Sequence, residues 1–254
     1  MTPLWVLASL AFGLGYPLLW NHPPTPAAAM ALKGAGVGLL ALAAALRARS
    51  VDGWLLASVL ALGAAGDVLL EIDLAAGASA FATGHIVAII LYLRNRRTAL
   101  GLLDRAVAAL LPAAATALPY LLLRDRPEAY AFALYALLLG AMAASAWISR
   151  FPRWLVAFGA VLFLASDMLI ALRMASELAW LSLPIWLLYY AGQLAIFSGV
   201  SAYSPLPLSA RGGAHRVAVG GEGLTDPAVQ TLASQAFGLG PSSPVKDGRG
   251  ADTA

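Results

Sequence analysis

The chain has 254 residues, 61% of them hydrophobic and only 11% charged, with a formal net charge of +3 and a mean hydropathy of +0.79. Soluble domains carry about 25% charged residues, so the composition excludes an ordinary soluble domain and describes a helix bundle in lipid. With no cysteine, disulfides, thiolate metal sites, iron–sulfur clusters and cysteine nucleophiles are excluded together. The basic residues are scattered singly between apolar segments, which fits a lipid bilayer as partner and no nucleic acid.

A membrane span needs about 20 predominantly apolar residues. Eight segments qualify, over residues 4–20, 27–46, 54–72, 77–93, 105–123, 129–149, 153–173 and 180–203. The first has neither a basic region before it nor a small-residue cleavage site after it, so it reads as a retained span and not a signal peptide. The runs are continuously apolar and not alternating, which predicts helices over a barrel. Short connectors carry helix breakers: Asn21-His22-Pro23-Pro24, Asp52-Gly53, Arg126-Pro127 and Phe151-Pro152. The predicted fold is therefore all-α, a polytopic bundle of eight transmembrane helices over 1–203. A tail over 204–254, rich in Gly, Ser and Pro, is expected to be disordered and cytoplasmic.

Counting Lys and Arg in alternate loops sets the orientation. One side receives Arg47, Arg49, Arg94, Arg96, Arg97, Arg105, Arg150, Arg153, Arg211 and Arg216, the other Arg124, Arg126 and Arg173. Both termini are expected on the cytoplasmic side of a bacterial-type plasma membrane.

Asp67 interrupts the apolar stretch LALGAAGDVLL at 60–70, and Asp167 holds the same place in AVLFLASDMLI at 160–170. The matching stretches suggest a repeat of spans 1–4 by spans 5–8, parallel because four spans return the chain to its starting side. An acid within a span is costly and by default functional; the alternative is that both only tie helices together by hydrogen bonds. Rise per residue puts both acids, together with Lys33, His85, Tyr135, Tyr189 and Tyr190, roughly 6 to 15 Å from the outer surface.

Lys33 has two readings, a stem that snorkels to the interface or a cation that pairs with an aspartate or holds a phosphate. Glu71 and Asp73 are expected to be solvated helix ends, although Asp67 and Glu71 share a helix face. His85 follows Gly84, whose small size admits a close neighbouring helix; one His without further ligands gives no metal site, and no cofactor is expected. Tyr189 and Tyr190 lie too deep for an interfacial belt alone, whereas Trp5, Trp20, Trp54, Trp147, Trp154, Trp180 and Trp186 read as anchors. No phosphate-binding loop of the G-x-x-x-x-G-K-[ST] type occurs.

Lys33, GDVLL at 66–70, Phe81-x-x-Gly84-His85, Tyr135, LFLASDMLIAL at 162–172 and LLYYAGQLAI at 187–196 come in an order that resembles the YhhN family of eight-span membrane proteins. Two positions depart from that pattern: Gly34 stands where Pro is usual after the Lys, and Ala88 where an aromatic is usual. The resemblance implies a lysoplasmalogenase, which hydrolyses the vinyl ether of an alkenyl lysophospholipid to a fatty aldehyde and a glycerophospho-head group. Its demands parallel glycoside hydrolysis, in which one carboxyl is the acid and the other stabilises a cation or activates water. Two neighbouring acids in low dielectric do not both ionise easily, so Asp67 and Asp167 are the expected catalytic pair. Lys33, His85, Tyr135, Tyr189, Tyr190 and Gln193 are the expected substrate-binding or supporting residues, with a lysophospholipid as substrate. The competing class is a proton-coupled transporter that uses the same two acids; clustering toward one face, and not the midplane, favours the enzyme.

Overall fold

A computed structural model describes residues 2–20, 25–176 and 178–203. The described residues form eight α-helices: α1 Thr2–Leu19, α2 Pro26–Arg47, α3 Val51–Leu69, α4 Leu74–Arg94, α5 Leu102–Leu123, α6 Ala129–Ile148, α7 Val156–Ser176 and α8 Ser182–Ala202. A 3₁₀ turn, Ala179–Leu181, leads into α8. The helices α2 to α8 are each long and apolar enough to cross a membrane, and α1 is a shorter apolar helix. The architecture is thus the all-α bundle expected from apolar run lengths. The connector at 21–24 and the tail at 204–254 lie outside the described residues.

Several boundaries differ from expectation by about three residues, and those that flank the acid-bearing helices show local causes. The predicted spans 54–72 and 77–93 become helices ending at Leu69 and starting at Leu74, because Asp73 is an N-cap. Its Oδ1 accepts the Ala76 N–H at 2.7 Å, satisfying a donor that a helix start leaves unpaired. Asp73 is therefore a capping residue and not just a solvated end. The predicted span 153–173 becomes α7 at Val156–Ser176: the N–H groups of Leu155 and Val156 bond to the Pro152 carbonyl, and Arg153 is drawn into an ionic cluster described below. Asp67 consequently lies two residues before the end of α3, and Asp167 nine residues before the end of α7. The two similar segments thus continue differently beyond their acids.

Consecutive helices pack as neighbours from α1 to α4 and from α5 to α8; α4 packs on α6, and α8 on α2 and α3. Glycines set the tightest approach. A Cβ added at Gly159 of α7 would meet the Gly192 carbonyl of α8 at 2.8 Å, and one at Gly192 would meet the Gly159 carbonyl at 2.7 Å. The two backbones are therefore in van der Waals contact there, the small-residue packing expected where lipid supplies no hydrophobic drive between helices. Gly84 likewise faces Leu62 and the Val59 carbonyl of α3.

At the end of the bundle holding the α2–α3, α4–α5 and α6–α7 connections, polar groups form a clamp. Asp104 accepts hydrogen bonds from Gly101 N–H, Arg97 at 3.2 Å, Trp147 Nε1 at 3.1 Å and Arg153. The Arg153 guanidinium also lies 4.7 Å from the Trp147 ring centroid. Asn95 Nδ2 donates to Asp52 at 2.9 Å, and the Arg150 N–H to the Asn95 carbonyl at 2.7 Å. Trp147, expected to be a plain lipid anchor, is thus part of this clamp. The opposite end of the bundle is left open.

Candidate active site

The open end contains a cavity of about 1220 Å³, larger than the roughly 300–1,000 Å³ of ordinary small-molecule sites. Its walls come from all helices except α5. Asp67 and Asp167 both line it, and both are buried, at 2% and 5% exposure. The burial has a sequence origin in the small residues around each acid. Gly66 leaves room for the Phe81 ring, whose nearest atom would lie 2.6 Å from a Cβ at that position. Ser166 turns its hydroxyl to the Ile185 carbonyl of α8 at 2.9 Å, which ties α7 to α8 beside Asp167.

Each acid accepts a phenol from a helix other than its own. Tyr189 of α8 donates to Asp67 Oδ2 at 2.8 Å, and Tyr135 of α6 donates to Asp167 Oδ2 at 2.8 Å. With the Tyr135 proton committed to Asp167, the contact between Tyr135 and His85 Nε2 at 3.1 Å makes Nε2–H the donor. His85 therefore stands behind Tyr135, buried at 3% exposure, and supports Asp167 through the phenol. The rings of Phe81 and Phe163 meet edge to face at 6.0 Å, and both meet Tyr189 in the same way, at 5.8 and 5.1 Å. This aromatic wall holds the two tyrosine–aspartate pairs in a low-polarity pocket.

The remaining expected residues divide. Lys33 lines the cavity, but its ammonium bonds to Glu71 Oε1 at 2.5 Å and not to an aspartate. Glu71 lies four residues after Asp67, in the turn that follows α3, near enough to neutralise a lysine entering from α2. Glu71 is exposed beyond the helix end, as expected, and it also carries that ion pair. Gln193 is buried beside Gly63, where its Nε2 would lie 2.9 Å from an added Cβ, and its Oε1 has no hydrogen-bond partner. Tyr190 points elsewhere: its hydroxyl meets Ser9 Oγ of α1 at 2.8 Å, and its ring stacks on Trp186 at 6.5 Å. It helps seat α1 and is not among the cavity-lining residues.

Three contributors escaped the reading of the sequence. Trp186, taken as an anchor, is buried, donates from Nε1 to the Gly13 carbonyl at 2.6 Å and lines the cavity. Ser9 is the one serine of an otherwise largely apolar helix and carries no local signal. Arg173, counted only as a loop charge, lines the cavity and donates to Ser182 Oγ at 2.9 Å; its place six residues after Asp167 is the signal that could have found it.

Among the described residues no group of three or more His, Cys, Asp or Glu side chains is arranged to hold a metal ion. The arrangement suits proton transfer: two carboxyls and two phenols face a volume that is mostly apolar. Neither the curated proteins nor the solved structures contain a match to the chain. The model of the YhhN family, however, matches residues 28–200, from α2 through α8. On that match and the bundle described above, this chain belongs to the YhhN family of membrane proteins.

Proposed function

We propose that the protein is a lysoplasmalogenase-like membrane hydrolase that cleaves the vinyl ether of an alkenyl lysophospholipid by carboxyl acid/base catalysis. The observation that carries the reading is the convergence of Asp67 and Asp167 on one lipid-sized cavity, each held by a tyrosine from another helix. Family membership supports it at the level of reaction class.

In the proposed reaction one of the two carboxyls, in its protonated form, delivers its proton to the β carbon of the vinyl ether. The double-bond electrons form the new C–H bond, and the α carbon becomes an oxocarbenium ion. The other carboxyl, ionised, faces that cation and takes a proton from the water that adds to it, as in the two-carboxylate hydrolysis of acetals. The resulting hemiacetal collapses: the second carboxyl returns its proton to the glycerol oxygen as the C–O bond to glycerol breaks, the hemiacetal hydroxyl gives its proton to the first carboxylate, and aldehyde and glycerophospho-head group leave with both acids reset. Tyr135 and Tyr189 fix the carboxyl orientations, His85 holds Tyr135, and the Phe81–Phe163 wall excludes bulk water. Gln193 and the Lys33–Glu71 pair act as supporting groups. The expected setting is a multi-pass position in a bacterial-type plasma membrane with both termini cytoplasmic and the cavity facing outward.

The test is turnover by purified protein in detergent, with free aldehyde measured from a lysoplasmalogen. Aldehyde from wild type, abolished in both Asp67→Asn and Asp167→Asn, supports the proposal. A folded wild type that releases none sinks it and favours a carrier, which has no activity without two compartments.

A further inference from the structure

We infer that Arg173, positioned by Ser182, is the residue that binds the phosphate of the lipid in this cavity, in place of the lysine that the sequence alone suggests. The inference rests on the lipid-hydrolase reading of the site and adds the group that sets the register of the substrate within it.

The two acid-bearing helices diverge beyond their acids. In the first, α3 ends at Leu69, and the following turn places Glu71 and Asp73 at the cavity rim. In the second, α7 runs on to Ser176 and carries Arg173 over the cavity. Arg173 occupies the place that Asp73 holds one hundred residues earlier, so the repeated segment has opposite charge on its two sides. Asp73 is committed to capping α4 through Ala76 N–H. Lys33 is committed to Glu71 at 2.5 Å, which leaves that pair neutral. The Arg173 guanidinium meets a neutral hydroxyl, Ser182 Oγ, at 2.9 Å. Among the described residues no carboxylate forms an ion pair with Arg173, and it brings positive charge and a fork of donors to the cavity, the geometry that grips phosphate oxygens in a bidentate manner.

Spacing agrees with the chemistry. Six residues of helix separate Asp167 from Arg173, a rise of about 9 Å. In a lysophospholipid the ether oxygen at the first glycerol carbon lies five bonds from phosphorus, and the carbon to be protonated lies seven bonds away. At the reach per bond of an extended chain these are about 6 and 9 Å. A lipid with its phosphate on Arg173 thus places its vinyl ether beside Asp167, with the alkenyl chain continuing along the Phe81–Phe163 wall. Glu128, exposed just before α6, also lines the cavity and disfavours any anion near it, so a phosphate on Arg173 depends on the attached apolar chain to hold it there.

Two non-hydrolysable saturated ethers provide the test: 1-O-hexadecyl-glycerophosphoethanolamine and 1-O-hexadecylglycerol, which lacks the phosphate. Their binding to full-length protein in detergent is measured for wild type, Arg173→Gln, Arg173→Lys and Ser182→Ala. A hydrogen-bonded charge predicts a loss of about ten- to a hundredfold for the phospholipid in Arg173→Gln, confined to that lipid. Arg173→Lys keeps the charge without the fork and loses about three- to tenfold; it carries the test should the Gln variant fail to fold. Ser182→Ala weakens the same lipid by a smaller factor. An equal loss for both lipids, or none, overturns the inference. Inorganic phosphate that tightens hexadecylglycerol binding to wild type also overturns it, by assigning the guanidinium to free phosphate. Wild type that releases no aldehyde from an alkenyl lysophospholipid, while Arg173→Gln selectively loses the phosphate-bearing ether, would refute the reaction and leave the phosphate site standing.

Discussion

The two tyrosine–aspartate pairs predict a defined pattern of coupling. Tyr135→Phe and Tyr189→Phe each remove one 2.8 Å hydrogen bond to a carboxyl while keeping a ring for the surrounding edge-to-face contacts. A hydrogen bond to a charged group contributes about 1.5–3 kcal/mol, so each substitution lowers kcat/KM by about 10- to 150-fold. Stability should fall far less, because interhelical hydrogen bonds in membranes contribute only about 0.6 kcal/mol on average. Asp67→Asn and Asp167→Asn lower kcat/KM by about 10²- to 10⁴-fold, the range for loss of a general acid or base. Asn still accepts the tyrosine hydrogen bond, so a purely structural role for the acids predicts near wild-type activity from both. In a double-mutant cycle Tyr135→Phe adds little to Asp167→Asn, whereas Tyr189→Phe multiplies with it, since Tyr189 acts on the other carboxyl. The assay is continuous aldehyde reduction by a coupled alcohol dehydrogenase, with circular dichroism and melting confirming fold. Retention of activity within about twofold in either Asn variant refutes the acid-pair mechanism. Full additivity of Tyr135→Phe with Asp167→Asn refutes the pairing.

Replacing Gly159 by Leu pushes a side chain into the Gly192 carbonyl, 2.8 Å from the position of its Cβ; overpacking of this kind costs about 1–3 kcal/mol, read as a lower melting temperature in detergent. Lys33→Met and Glu71→Gln each strand a charge of the pair at 2.5 Å. The double variant is expected to be more stable than either single one, and a double variant worse than both would argue against the pairing. Asp104→Asn removes the charge on which Arg97 and Arg153 converge and lowers the melting temperature without changing the KM for lipid, because the clamp lies at the other end of the bundle. With no native cysteine, single cysteines introduced at Glu128 and Arg150 report topology. An impermeant maleimide labels the first from outside intact cells and the second only after permeabilisation, and the reverse pattern would invert the proposed orientation.

The spans and the two acids were legible because both are local properties. Whether a stretch can cross lipid depends on its own apolar length, and an acid inside such a stretch is visible wherever its helix ends up. Partner choice was not legible for the same reason: neighbours across a bundle are set by which helix faces meet. Tyr189 and Tyr190 are adjacent in sequence and read alike, but about 100° of helical rotation separates them. One bonds Asp67 and the other bonds Ser9 on α1. Lys33 carries no mark that its partner is Glu71 and not an aspartate, since that depends on how α2 packs against the end of α3. Nor does the repeat reveal that α3 stops two residues after its acid while α7 continues for nine; the Asp73 cap, which starts α4, marks the first of these ends. Helix formation in lipid satisfies the backbone within each segment, so the sequence by itself determined the eight helices and the two acids set within them. Only their packing decided which carboxyl meets which tyrosine and which cation faces the cavity.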